Sequence, residues 1–305
     1  MGTIRAFMFH DIRNLEDTNY PKRYSLKSFL NKKQFEFQIE IIRNNYKVIS
    51  SKDVKNIDIK NDNSDYAILT FDDGLMDHYS VYKHLKSLNI SGTFLIPKFP
   101  VEEGRVMNTH KIQFILASAD EKLLKEEILG LFDDNNKDKI WNEYSTTNWK
   151  NNWWSKEMIF ITNFLRKYRN QNINNYQITN HLFEKYVTKD ELNFSKDLYL
   201  DYEKIDEMSN SGMIIGGHGY ISENLLLVDD YKLEIDESKK FVSKYSDEFI
   251  FSYPNGGYDD RIKKYMSDVN CQMSFTVNSF TITELDEIDY LEFPRYDSPQ
   301  KIKLP

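Results

Sequence analysis

The chain has 305 residues, 40% of them apolar and 14% aromatic, enough to bury a large core in one domain or one domain plus an insertion. Its net charge is −8 and no basic cluster is interleaved with aromatics, which argues against nucleic acid or an anionic membrane surface as a partner. Cys271 is the single cysteine, so an intrachain disulfide and a thiolate metal pair are both excluded.

Met1-Gly2-Thr3-Ile4-Arg5-Ala6 runs straight into a predicted strand near residues 4–9, with no apolar leader or small-residue cleavage site. No later stretch approaches the ~20 apolar residues of a membrane span. Together these point to a cytoplasmic protein. His10 stands at the end of that first strand. The stretch from Phe35 to Tyr46 supports two readings: Phe35, Phe37, Ile39 and Ile41 alternate like a strand, while Phe35, Ile39, Ile42 and Tyr46 share a helical face. Further strands are predicted near 47–50, 66–71 and 91–96, with a helix near 78–88.

Residues from about 104 to 200 read as a mainly helical insertion, with Lys111–Leu131, Glu157–Tyr168 and Ile178–Tyr186 as its amphipathic pieces. His110 opens the first of these. All four tryptophans, Trp141, Trp149, Trp153 and Trp154, fall in this segment. They suit the pinning of short helices, a lid that stacks on a ring-shaped ligand, or an intermolecular contact. The alternation then resumes, with strands near 213–217, 249–252 and 273–277 and helices near 203–210, 229–245 and 258–268. Such alternation predicts parallel strands joined by helical crossovers. His78, His84 and His181 read as partly exposed helix or loop residues without a catalytic role.

Thr70-Phe71-Asp72-Asp73-Gly74 is the most informative run. It follows the apolar Tyr66-Ala67-Ile68-Leu69 and places two adjacent carboxylates where a strand ends. In a regular strand neighbouring side chains face opposite ways, but a strand end relaxes that rule. Two carboxylates at one cavity suit a metal site in which one ligates the ion and the other moves protons. An ordinary cap and turn is the competing reading. Two downstream segments also end strands in functional groups: Ile214-Ile215-Gly216-Gly217-His218-Gly219, and Phe251-Ser252-Tyr253-Pro254-Asn255-Gly256. Strand C-terminal ends are where α/β barrels and open α/β sheets build their sites.

On these residues the chain resembles the polysaccharide deacetylases, the NodB-like group called carbohydrate esterase family 4. Thr70–Gly74 matches that family's first motif, the His218 segment resembles its second, and Tyr253-Pro254-Asn255-Gly256 its third. Phe293-Pro294-Arg295-Tyr296-Asp297 resembles a terminal element of a subgroup tied to surface-sugar pathways. The similarity covers roughly residues 4–100 and 200–297. It implies a distorted (β/α) barrel, one deacetylase-like domain over 1–305 interrupted by the helical insertion, and a divalent metal, zinc first, with cobalt or nickel as alternatives.

The departures are specific. Ser222 stands where the second motif has its second histidine, and a hydroxyl is a poor zinc ligand. Ser252 and Asn255 replace the third motif's arginine and tyrosine. No histidine follows His218, so the family's late acid histidine has no counterpart. The resemblance thus implies Asp72 as general base and Asp73 with His218 as metal ligands, completed by Ser222, Glu223, Asn224 or solvent. His10 is the candidate acid, and Arg295 the replacement arginine beside Asp72 or else a partner of Asp297. Tyr253, Pro254, Asn255 and His110 are the candidate substrate contacts. The expected reaction is removal of an acetyl group from an acetylated sugar or glycan precursor. An O-acetyl esterase and a sugar-binding or scaffolding relative without catalysis are the alternatives.

Overall fold

A computed structural model describes residues 2–17, 29–59, 61–146, 154–170, 173–283 and 288–297, which divide into two compact units. The first unit carries eight strands: β1 (Thr3–Phe9), β2 (Lys47–Val48), β3 (Asp65–Asp72), β4 (Thr93–Ile96), β5 (Ile214–Gly217), β6 (Phe249–Ser252), β7 (Cys271–Phe275) and β8 (Tyr296–Asp297). They lie in the order β8-β1-β3-β4-β5-β6-β7, with β2 also beside β3, and every pairing is parallel. Parallel neighbours require crossovers, supplied in part by helices Lys32–Asn45, Asp77–Ser87, Tyr202–Asn210, Tyr231–Val242 and Asp260–Asp268.

The last strand seals the sheet. Phe293 exchanges backbone hydrogen bonds with Ser274 and Thr276 at the end of β7, while Tyr296, three residues on, pairs with Phe7 of β1. Residues 293–297 therefore bridge the two free edges and make a distorted (β/α) barrel. Strand alternation then sorts side chains into two cores. Ile4, Ala6, Tyr66, Ile68, Leu95, Ile250, Met273 and Phe275 fill the inside. Ala67, Leu69, Phe71 and Phe94 face outwards against Phe35, Ile39, Ile42, Val81 and Leu85 of the covering helices. Burial on both faces is why Tyr66–Leu69 of β3 is a continuous apolar run rather than an alternating one.

Helical periodicity wins in the ambiguous segment. Asn31 caps Lys32–Asn45 through the Gln34 amide, and the Gln34 side chain returns to the Asn31 N–H. Phe35, Ile39 and Ile42 are buried, whereas Phe37 is 63% exposed.

The second unit, over Val106–Phe194, is mainly helical. Sequence periodicity suggested one helix over Lys111–Leu131. The chain instead forms Asn108–Ser118 and Glu121–Leu129, because the Asp120 carboxylate caps the second by accepting from the N–H groups of Lys122 and Leu123. Trp141 packs on Phe160 at 5.1 Å, joining helices Asp134–Tyr144 and Lys156–Lys167. That contact supports the pinning role for this tryptophan; Trp149 and Trp153 lie outside the described residues. Among the described residues no helix is long and apolar enough to cross a membrane.

Phe71 is sandwiched between Phe9 (centroids 5.2 Å) and Phe94 (4.7 Å) at the centre of the outer core. Phe71→Ala is expected to cost about 3–5 kcal/mol in urea unfolding, whereas Phe37→Ala on the exposed helix face should change stability by about 0.5 kcal/mol or less.

Candidate active site at the C-terminal end of the barrel

Thr70 and Asp72 follow Ile68 on the inner face of β3, so the apolar interior gives way to polar groups at the strand's C-terminal end. Asp72 is 2% exposed and meets Arg295, itself 1% exposed, in a bidentate pair of 2.7 and 2.9 Å. Arg295 also donates to Thr276 O at 3.0 Å and Thr70 Oγ1 at 3.2 Å, and Thr70 in turn donates to Phe7 O. Three strands are thus tied around one carboxylate. Burial pushes the Asp72 carboxyl up, but the Arg295 guanidinium, with help from His218, outweighs it and leaves Asp72 below its ordinary value. Of the two partners considered for Arg295, Asp72 is the one it meets.

Asp73 escapes strand alternation by adopting a left-handed backbone, φ 77°. Aspartate tolerates that region better than most residues, at a strain of order 1–3 kcal/mol. Gly74 follows at φ 60°, where a Cβ would meet Ile96 Cγ2 at 2.8 Å, so the motif's glycine is sterically required. The turn carries the Asp73 carboxylate to 3.5 Å from His218 Nε2. His218 is held from its other side: Nδ1 lies 2.6 Å from Ser252 Oγ and 3.2 Å from Ser252 O. Ser252, which read in the sequence as a lost arginine, thereby fixes the imidazole. Burial pushes His218 down, against the opposing pull of Asp72 and Asp73.

The other expected residues are distributed unevenly. His10 is half-buried and close enough to Asp72 and His218 to influence their ionisation, with a buried Nδ1 that makes no hydrogen bond. Ser222 is buried with a left-handed backbone, φ 59°. Glu223 is buried and within the electrostatic influence of Glu234. Burial pushes Glu234 up to about 7, although its carboxylate accepts the Tyr220 and Ile221 N–H groups. The Asn224 side chain packs against Gly257. Tyr253 is 1% exposed, its ring stacked on Tyr258 and its hydroxyl donated to Leu291 O, so its polar end is spent inside the fold. Pro254 is buried, and Asn255 is exposed at φ 52°. His110 is buried in helix Asn108–Ser118 of the second unit. Among the described residues no group of three or more His, Cys, Asp or Glu converges as a metal cluster.

Two residues depart from expectation. His78 is not partly exposed: it is 0% exposed, packs on Phe71 and Phe94, and its Nε2–H donates to His10 O at 2.9 Å. Burial pushes that imidazole down. It ties the helix after the Asp-Asp-Gly turn to the strand end that carries His10. Asp297, weighed only as a counter-ion for Arg295, reaches the site itself, within the electrostatic influence of His10, Arg295 and Asp72. Its position two residues beyond Arg295 on a strand was the available signal.

No family model matches the chain, and no characterised protein matches it by sequence. Solved structures do match by shape. A deacetylase, PplD, from Streptococcus pyogenes in complex with acetate aligns at TM-score 0.56 and 16% identity, over 96% of this chain and 91% of that one. IcaB from Ammonifex degensii aligns at 0.55 and 11%, over 98% and 94%. A polysaccharide deacetylase from Bacillus cereus aligns at 0.53 and 15%, over 96% of this chain and 64% of its own. At these identities the likeness establishes the fold alone, which the chain shares with these three proteins.

Arg295→Ala would strand a buried carboxylate, and is expected to destabilise the protein by about 3–5 kcal/mol at neutral pH. Because Asp72 is held below its ordinary value, the stability it contributes is present above the unfolded carboxyl value and lost as pH falls through the folded one. The gap between wild-type and variant urea midpoints should therefore narrow below about pH 4.

Proposed function

We propose that the chain is a carbohydrate deacetylase, a hydrolase that removes an acetyl group from an N-acetylated sugar or glycan precursor. The observation that carries this reading is a buried, charge-paired aspartate at the mouth of the barrel, beside a second carboxylate and an oriented imidazole. The fold shared with deacetylases, one of them holding acetate, supports it.

Asp73 Oδ1 and His218 Nε2, 3.5 Å apart, are a carboxylate–imidazole pair of the type zinc, cobalt or nickel accepts. The Ser252 contact on Nδ1 is the kind of outer partner that orients a ligating histidine. The pair therefore fits a divalent ion completed by solvent, with the Ser222 hydroxyl a poor third donor and affinity correspondingly reduced. When bound, such an ion supplies Lewis acidity toward water and the acetyl carbonyl.

The chain's own residues do the rest. Asp72, kept ionised and aimed by Arg295, takes a proton from the attacking water. The Asn255 backbone N–H, on the exposed turn after β6, is the candidate donor to the tetrahedral oxyanion. The leaving nitrogen takes a proton from the rim formed by β1 and β8, where His10 and Asp297 lie. The rival reading, a sugar-binding relative without turnover, draws on Ser222 in place of a stronger ligand.

Acetate release from N-acetylglucosamine oligomers in the presence of zinc, cobalt or nickel separates the two. Asp72→Asn is expected to lower turnover by about 10²–10⁴-fold while leaving oligomer affinity unchanged. Oligomer binding with no acetate release by the wild type would support the binding relative instead.

A further inference from the structure

Asp297 is a carboxyl that the mechanism above leaves without an assigned step. It ends β8 with its Cα in register with Met8 of β1. Arg295, two residues earlier, points into the barrel to reach Asp72, so Asp297 shares that inner face, as does His10, two residues beyond Met8. The charged groups acting on it are His10 from the end of β1, Arg295 from its own segment and Asp72 from β3. Arg295 sends its hydrogen bonds to Asp72, Thr70 and Thr276. Asp297 Oδ1 is buried and makes no hydrogen bond.

Asp297 as a whole is half-buried, and a carboxylate with one buried oxygen that receives no donor is disfavoured relative to its neutral acid, the more so beside another carboxylate. Burial accordingly pushes Asp297 above its ordinary value. Asp72 holds a bidentate guanidinium while Asp297 Oδ1 receives no donor, and two carboxyls of one site partnered so differently divide into a base and an acid.

We propose that Asp297 is a catalytic residue, the acid that protonates the leaving nitrogen in a chain with no histidine after His218. The inference rests on the deacetylase reading. As the water oxygen bonds to the acetyl carbon, Asp72 accepts one water proton. The tetrahedral intermediate then collapses: the C–N bond breaks, its electron pair goes to nitrogen, and nitrogen takes the Asp297 proton. Free amine and acetic acid result, and the acid ionises to acetate by giving the second water proton to solvent. Asp72 returns its proton to solvent, and Asp297 regains one from solvent.

The test compares two probes with the full chain: an N-acetylglucosamine oligomer, and 4-nitrophenyl acetate, whose leaving group needs no proton. Asp297→Asn should lower kcat on the amide about 10²-fold more than on the ester, with KM on the amide unchanged, whereas Asp72→Asn should impair both probes alike. Equal losses on the two probes in Asp297→Asn, or amide-selective loss in His10→Gln with none in Asp297→Asn, would overturn the assignment and leave the deacetylase reading standing. Carbon-13 NMR of the aspartate carboxyls provides a readout independent of turnover. The resonance missing from Asp297→Asn should titrate above the ordinary aspartate value, and titration at or below it would overturn the proposal whatever the kinetics. A wild type that releases acetate from neither probe would remove the deacetylase reading, and this inference with it.

Discussion

The bidentate pair between Asp72 and Arg295 is the constraint around which the barrel mouth is arranged. A carboxylate and a guanidinium, both almost fully buried, are stable together only because each satisfies the other and the remaining donors find Thr70 and Thr276. The pair joins residues 223 positions apart, and Arg295 can take part because residues 293–297 close the ring between β7 and β1. Closure of the fold and ionisation of Asp72 are therefore one structural event. A barrel left open at that seam would also lose the charge state of Asp72.

Around this pair the remaining groups are placed by backbone geometry as much as by contacts. The left-handed turn at Asp73 brings a second carboxylate towards His218 that a continuing strand would have turned away. Ser252 holds the imidazole from β6, and His78 anchors the carbonyl of His10 from the helix that follows the turn. The result is a charge-paired carboxylate, a carboxylate–imidazole pair beside it, and a rim carrying His10 and Asp297. The three carboxyls differ in what they meet: Asp72 receives a guanidinium, Asp73 faces an imidazole, and Asp297 Oδ1 receives no donor.

Much of this was legible in the sequence, for identifiable reasons. β3 could be placed because a strand buried on both faces is an uninterrupted apolar run, and its end because Asp-Asp-Gly is incompatible with continuing it. The helix over Lys32–Asn45 was ambiguous only because Phe37 and Ile41 lie off its buried face and mimic alternation. Its cap, Asn31 with Gln34, was a local signal that decides the case. The break at Asp120 was likewise a capping signal that periodicity overrode. What could not be read were contacts between distant segments. Ser252 looked like the loss of an arginine, and nothing near it in sequence announces His218, 34 positions away. The burial of His78 depends on Phe71 and Phe94 from two strands. Asp297 was visible only as a neighbour of Arg295, because its isolation from donors is a property of the closed ring.

The central claim is that Asp73 and His218 form a working two-donor metal pair beside a charged base, and divalent-ion calorimetry on metal-stripped protein tests it most directly. Stoichiometric binding of zinc, cobalt or nickel by the wild type, weakened in both Asp73→Ala and His218→Ala, is the result predicted. Binding indifferent to both substitutions, or none at about 100 μM ion, far above the level at which zinc sites normally fill, would contradict it.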